Sequence, residues 1–187
     1  MLLRRILAIA VLASSSTVFA DAIDVNLSND VAQFQYIAPT GPIGQGKSEF
    51  HAGFLYNDSN NGMGDVGLMV MNNDGSASDV SFGVGVKALI ATISSNHAVA
   101  LALGAQIRLA PLPDKRFGIV GNVHVAPDIV TFGDADRYTE AGIRVEYEIL
   151  SQANAYAGYR KMQFGAKASG ANYTLDEGLH IGVRVAF

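Results

Sequence analysis

The chain has 187 residues, 13 of them basic and 17 acidic, and no cysteine. A formal charge of −4 leaves no phosphate-binding footprint and argues against a nucleic-acid partner. The missing thiols exclude disulfides and thiolate metal sites. The length suits one domain, and no cofactor is expected.

Residues 1–20 begin with Arg4 and Arg5, continue as an apolar run from Ile6 to Ala13, and close on Val18-Phe19-Ala20. This order predicts a secretory signal peptide, cleaved before Asp21. The apolar run is shorter than the about 20 residues a spanning helix needs. Residues 21–187 then form a single domain, in which 17 acidic residues face the 11 basic ones left when Arg4 and Arg5 are removed from 13. No stretch of it is apolar enough for a membrane helix, so the exported chain is either a soluble β-protein or a barrel that satisfies its backbone by closing on itself.

Alternation with period two recurs along the mature chain and favours the barrel. A hairpin is expected over 22–37. Phe50, Ala52, Phe54 and Tyr56 alternate with Glu49, His51, Gly53 and Leu55. A shorter strand fits 65–71. Val80, Phe82, Val84, Val86 and Ala88 oppose Ser81, Gly83, Gly85 and Lys87, and residues 98–110 set Val99, Leu101, Leu103, Ala105, Ile107 and Leu109 against Ala100, Ala102, Gly104, Gln106 and Arg108. After a strand at 117–126, residues 138–149 put Ala141, Ile143, Val145, Tyr147 and Ile149 outward and Glu140, Gly142, Arg144, Glu146 and Glu148 inward. Few soluble cores would accept that second set. A strand at 155–160 precedes the last one, whose Leu179, Ile181, Val183, Val185 and Phe187 share one face. A strand closing on Phe187 resembles the C-terminal signal read by the outer-membrane assembly machinery.

The turns expected between strands carry residues that accept positive φ or preset a bend: Asn57-Asp58-Ser59-Asn60-Asn61-Gly62, Asn72-Asn73-Asp74-Gly75, Ser94-Ser95-Asn96 and Pro111-Leu112-Pro113-Asp114. The longest connections are expected at 126–137 and 165–176. The prediction is an all-β, antiparallel, transmembrane up-and-down barrel of ten strands, with eight as the alternative; bacterial single-chain barrels have even numbers.

In this register Glu49, Asp65, Glu140, Glu146 and Glu148 point inward together with Lys87, Arg108, Arg144, Arg160 and Arg184. A barrel of this size has little more room than its side chains fill, and unpaired charges there are costly, so a paired network is expected, with a narrow charged pore as the alternative. His51, His124 and His180 also point inward, with His97 at a turn. No serine lies near His124 at strand spacing, and no catalytic residue is assigned. In the stretch 127–138, Asp134 and Asp136 offer a weak hard-cation pattern. The preferred reading has Gly133 turning the chain, Arg137 pairing with an aspartate and Tyr138 anchoring at the membrane interface.

The stretches Asp21-Ala22-Ile23-Asp24-Val25-Asn26-Leu27, Val31-Ala32-Gln33-Phe34-Gln35-Tyr36, Gly133 to Tyr138, Tyr159-Arg160-Lys161 and Gly182-Val183-Arg184-Val185-Ala186-Phe187 resemble the YfaZ family of small outer-membrane proteins. The resemblance implies a barrel and supplies no catalytic or ligand residues. The expected role is that of a structural or interaction barrel with a filled lumen. A pore for small solutes is the alternative; a lipid A-modifying enzyme or surface protease is the third reading. Expected partners are outer-membrane lipids and lipopolysaccharide, with the barrel assembly machinery and periplasmic chaperones acting on the way there. Lys161 and Lys167 are placed near the outer rim, within reach of lipid phosphates.

Overall fold

A computed structural model describes residues 21–59, 61–72, 79–93, 96–167 and 170–187. The expected signal peptide lies outside them, as do Asn60, the 73–75 part of one expected turn and the Ser94-Ser95 pair. Among the described residues eleven strands occur in chain order: β1 (Ala22–Ser28), β2 (Val31–Ile43), β3 (Gly46–Asn57), β4 (Gly62–Met71), β5 (Val80–Ile93), β6 (Asn96–Leu109), β7 (Phe117–Ala126), β8 (Thr131–Gly133), β9 (Ala135–Leu150), β10 (Ala153–Ala166) and β11 (Asn172–Ala186).

Ten of them close into an antiparallel barrel. Each wall strand pairs with the next, β7 pairs with β9, and β1 meets β11 with Asp24 opposite Arg184 and Ala22 opposite Ala186. Closure leaves no strand edge unpaired around the wall, which is the condition for crossing a bilayer with strands. The eleventh strand, β8, stands outside the wall and pairs only with β6, from Ala98–Gly133 to Ala100–Thr131. It follows a single 3₁₀ turn at Asp128–Val130, so the connection expected over 126–137 is largely ordered structure. The connection expected over 165–176 shrinks further, because β10 runs to Ala166 and β11 starts at Asn172.

Burial follows the expected alternation. In β5 and β6 the outward Phe82, Val84, Ile90, Leu101 and Leu103 are exposed, while Ser81, Leu89, Ala100 and Ala102 between them are buried. Phe34, Phe54, Ile143, Leu179 and Ile181 extend the apolar exterior around the barrel. A soluble protein with an apolar surface this large would associate; in lipid the same surface is satisfied. Tyr36 and Tyr147 lie toward the end that carries Ala22 and Ala186, called the terminal end below, and Tyr56 lies toward the far end. They form the amphipathic belts of a membrane barrel. On β10 and β11 the apolar band stops where Lys161 meets Glu177 at 3.0 Å and Tyr159 donates to Glu177 at 3.2 Å. Above that pair the outward residues Gln163 and Thr174 are polar and bond each other, so this side of the wall projects past the lipid.

Candidate functional site

Side chains that are buried in a barrel whose exterior faces lipid must point into the lumen, and they sort into two layers. At the far end Leu55, Met63, Leu89, Ile93, Tyr138, Met162, Phe164 and Leu175, with Ala98, Ala100 and Ala102, form one apolar cluster. Tyr138 and Phe164 pack ring to ring at 4.8 Å between centroids. This layer is a hydrophobic plug, and its two most voluminous members are 1 % exposed.

Below the plug the lumen turns polar. Lys87 of β5 bonds Glu140 of β9, which also accepts from Tyr138 Oη at 2.7 Å and from Asn122 at 3.3 Å. Arg160 grips Asp176 with Nε at 2.8 Å and a terminal nitrogen at 2.5 Å, and bonds Gln33. Arg184 reaches Asp24 at 3.0 Å across the β1–β11 seam, and Tyr156 donates to the same carboxylate. Arg108 bonds Glu146 at 2.5 Å; Arg144 shares that glutamate at 3.7 Å and lies over the Tyr156 ring at 4.8 Å. Glu49 faces His51 at 3.6 Å. Glu148 and Asp65 hold no ion pair among the described residues.

Glycines make the room for this packing. Gly104 leaves the space that the His124 ring occupies, and Gly182 leaves the space of the Tyr156 phenol; a Cβ at either position would overlap those rings. A cavity of about 110 Å³ remains among the polar groups, lined by residues that include Asp24, Asp65, Lys87, His124, Arg144 and Arg184. The terminal end is wetter than the far end: the side chains of Glu49, Arg184 and Arg108 are 39 %, 29 % and 26 % exposed. Among the described residues, the far end of the lumen is thus apolar and buried, and the terminal end is polar and partly exposed.

The family described as YfaZ precursor matches residues 3–187. The chain belongs to the YfaZ family. It is a closed antiparallel β-barrel of a family described as a precursor. Among solved structures the YfaZ chain is similar to the in-vitro folded OmpT, an outer membrane protein of Vibrio cholerae, at 12 % identity and a TM-score of 0.42, over 89 % of this chain and 64 % of that one. A second similar chain, described as "Unveiling the Mechanism Behind the in-meso Crystallization of Membrane Proteins", shows 9 % identity and a TM-score of 0.42 over 90 % of this chain and 83 % of that one. No curated protein matches.

Within the YfaZ lumen, several residues belong to the network that the sequence reading left out. Asp24, Asn26 and Tyr156 are inward and buried, and so is Asp176. Asp24 and Asn26 alternate with Ile23, Val25 and Leu27, so their inward side is readable within the hairpin expected over 22–37. Asp176 is hidden by a β-bulge: the β10–β11 register shifts at Met162/Gln163, so consecutive Leu175 and Asp176 are both buried. A period-two reading loses its place at such a point. Tyr138 is a correction. It points into the lumen and bonds Glu140 instead of anchoring at the membrane interface.

Among the described residues, no serine forms a nucleophile and base pair with the three inward histidines. Ser28 and His180 are register partners across β1 and β11, but Ser28 Oγ donates to Asp176 at 3.1 Å and His180 Nδ1 meets Asn26 at 2.7 Å. In the outer connection Gly133 takes φ +87°, as its turn requires. Arg137 lies 4.0 Å from Asp136, while Asp134 caps the His97 N–H at 2.9 Å. The two aspartates serve separate partners, and no metal-binding group of three acids or histidines occurs among the described residues.

Proposed function

We propose that this chain is a non-conducting outer-membrane barrel of a Gram-negative cell, acting as a structural or interaction scaffold rather than as an enzyme or porin-like channel. One observation carries the reading: the apolar plug of Leu55, Met63, Leu89, Tyr138, Met162, Phe164 and Leu175 closes the far end of the lumen. A conducting path needs continuous polar or water-filled space, and a layer of buried apolar side chains supports a closed lumen. The inward ions below it are spent mostly on one another, which is the arrangement of a filled lumen.

The biogenesis proposed with it runs from a signal peptide cleaved before Asp21 through periplasmic chaperones to the barrel assembly machinery. In that scheme Phe187, exposed and bonded through its N–H to Asp21 O at 2.8 Å, is the assembly signal and the terminal end is periplasmic. Lipopolysaccharide and outer-membrane lipids are the surrounding partners, with Lys161 at the upper edge of the apolar band placed to meet lipid phosphates. The inward charged residues contribute to stability, and no cofactor enters the scheme.

Planar-bilayer recording of the refolded mature protein tests the reading. Silence is expected. Reproducible single-channel steps that change when Arg144 or Glu146 is neutralised would establish the narrow pore in its place. Altered lipid A in cells carrying the protein, read by mass spectrometry, would establish the enzyme.

A further inference from the structure

Buried polar atoms without a hydrogen bond are rare in folded proteins, and each calls for an explanation even where a charged group stands 3.6–4.0 Å away, as for His51, His124, Asp136 and Arg144. Among the described residues seven side-chain atoms qualify: Asn26 Oδ1, His51 Nε2, both Asp65 oxygens, His124 Nδ1, Asp136 Oδ1 and Arg144 Nε. Six of the seven belong to residues lining the lumen cavity described above. Three of these six are amide or carboxylate oxygens, two of them on Asp65, whereas the His51 and His124 nitrogens face the carboxylates of Glu49 and Glu140 at 3.6 and 3.7 Å.

Asp65 is the focus. It is 6 % exposed and neither carboxylate oxygen has a partner among the described residues. Its surroundings explain why. In β3 its register partner is Gly53, where a Cβ would stand 2.9 Å from Asp65 Oδ1; in β5 its partner is Leu89. Neither neighbour donates. The cations within reach are engaged elsewhere, Lys87 with Glu140 and Arg160 with Asp176 and Gln33. The niche therefore holds a buried carboxyl group with no donor among the described residues, in a lumen whose other carboxylates are mostly neutralised.

We propose that this cavity binds a small primary ammonium compound, its –NH₃⁺ group held by Asp65. Such a group brings a charge and three donors, which is what the site lacks. The cavity of about 110 Å³ has room for roughly four groups of ~30 Å³ each, matching an alkylammonium or hydroxyalkylammonium of a few heavy atoms. A bare metal ion fits less well, because no three acids or histidines converge among the described residues. Entry is from the terminal end, past the part-exposed Glu49, Arg108 and Arg184 side chains, since the plug blocks the other. The proposal rests on the reading of the lumen as closed at its far end, and the two fail separately: conductance tests the plug and ligand binding tests Asp65.

Saturation-transfer NMR on the mature chain folded in detergent micelles provides the test, with ethylammonium as the probe and tetramethylammonium as a cation without N–H donors. Transfer to ethylammonium is expected, competed by ethanolamine and absent for tetramethylammonium. The Asp65→Asn variant keeps the shape and removes the charge, and should weaken binding about tenfold, as loss of a charge-assisted bond implies. Should that variant not fold, Gly53→Ala, which crowds the carboxylate without altering its charge, is expected to weaken the same signal. No transfer to the native protein, transfer unchanged in Asp65→Asn or Gly53→Ala, or equal transfer to tetramethylammonium would each overturn the proposal.

Discussion

Lys87 and Glu140 meet inside the barrel from β5 and β9, with β6 and β7 standing between their strands. Both side chains are buried, and Glu140 collects Tyr138 and Asn122 as well. The bond therefore ties two parts of the wall that share no backbone pairing. It also sits directly under the apolar plug, whose Tyr138 takes part in it.

Removing one partner leaves the other charged and stranded. Lys87→Met is expected to cost about 3–5 kcal/mol, because breaking a buried pair exposes an uncompensated charge. The double change Lys87→Met with Glu140→Leu removes both charges and should recover most of that loss. Urea unfolding in lipid vesicles reads the difference. A double variant as unstable as Lys87→Met would mean that the pair matters through something besides its charge.

The exterior pair Lys161–Glu177 makes the opposite case. Both side chains are near 40 % exposed at 3.0 Å, where water screens the attraction. Lys161→Ala is expected to lower stability by less than about 1 kcal/mol in the same assay. A larger loss would indicate that the lysine is engaged by lipid headgroups in the vesicle, which repeating the measurement with zwitterionic lipid alone would expose.

The wall was readable from the sequence because its two faces differ in chemistry. Phe82, Val84 and Val86 against Ser81, Gly83 and Gly85 admit one register. The plug was harder to see, since at its level the contrast disappears: Leu89, Ala91 and Ile93 are inward and Ile90 is outward, all but one of them bulky and every one apolar. Ala98, Ala100 and Ala102 face inward beside outward Val99 and Leu101 in the same way. Alternation still fixes which side is which, but not that the inward side forms an apolar stopper. The charge network was legible where strands were regular, as with Arg144 and Glu146, and lost at the β11 bulge that turns Asp176 inward.

The close approach of Gly182 to Tyr156 yields a packing prediction. A Cβ at Gly182 would run into the phenol and into the Val25 carbonyl oxygen of the neighbouring strand, so relief requires moving backbone as well as a side chain. Gly182→Val is expected to destabilise the barrel by about 1–3 kcal/mol or more through overpacking. Gly178→Val, two turns of the pleat away and with nothing within 4 Å of its Cβ position, should be tolerated. Heat-modifiable migration in a detergent gel compares them: Gly178→Val should keep the folded band, whereas Gly182→Val should lose it at a lower temperature.

The plug supplies the last prediction. Phe164 is buried at 1 % exposure against Tyr138, whose ring centre lies 4.8 Å away, and its strand β10 is paired on both sides, so the site has little freedom to collapse. Phe164→Ala removes the transfer energy of the ring and leaves a void, with an expected loss of about 3–5 kcal/mol. Phe164→Leu keeps most of the volume and should lose less than half of that. If the layer is sealed by packing, the Ala variant stays electrically silent, because a hole lined by Leu, Met and Ala side chains remains apolar and dry. Replacing Phe164 and Met162 together by serine puts hydroxyls into the same space and should admit water. Conductance in the serine pair with silence in the Ala variant would identify polarity, and not volume alone, as what closes the lumen; conductance in Phe164→Ala would show that the stopper is one ring thick.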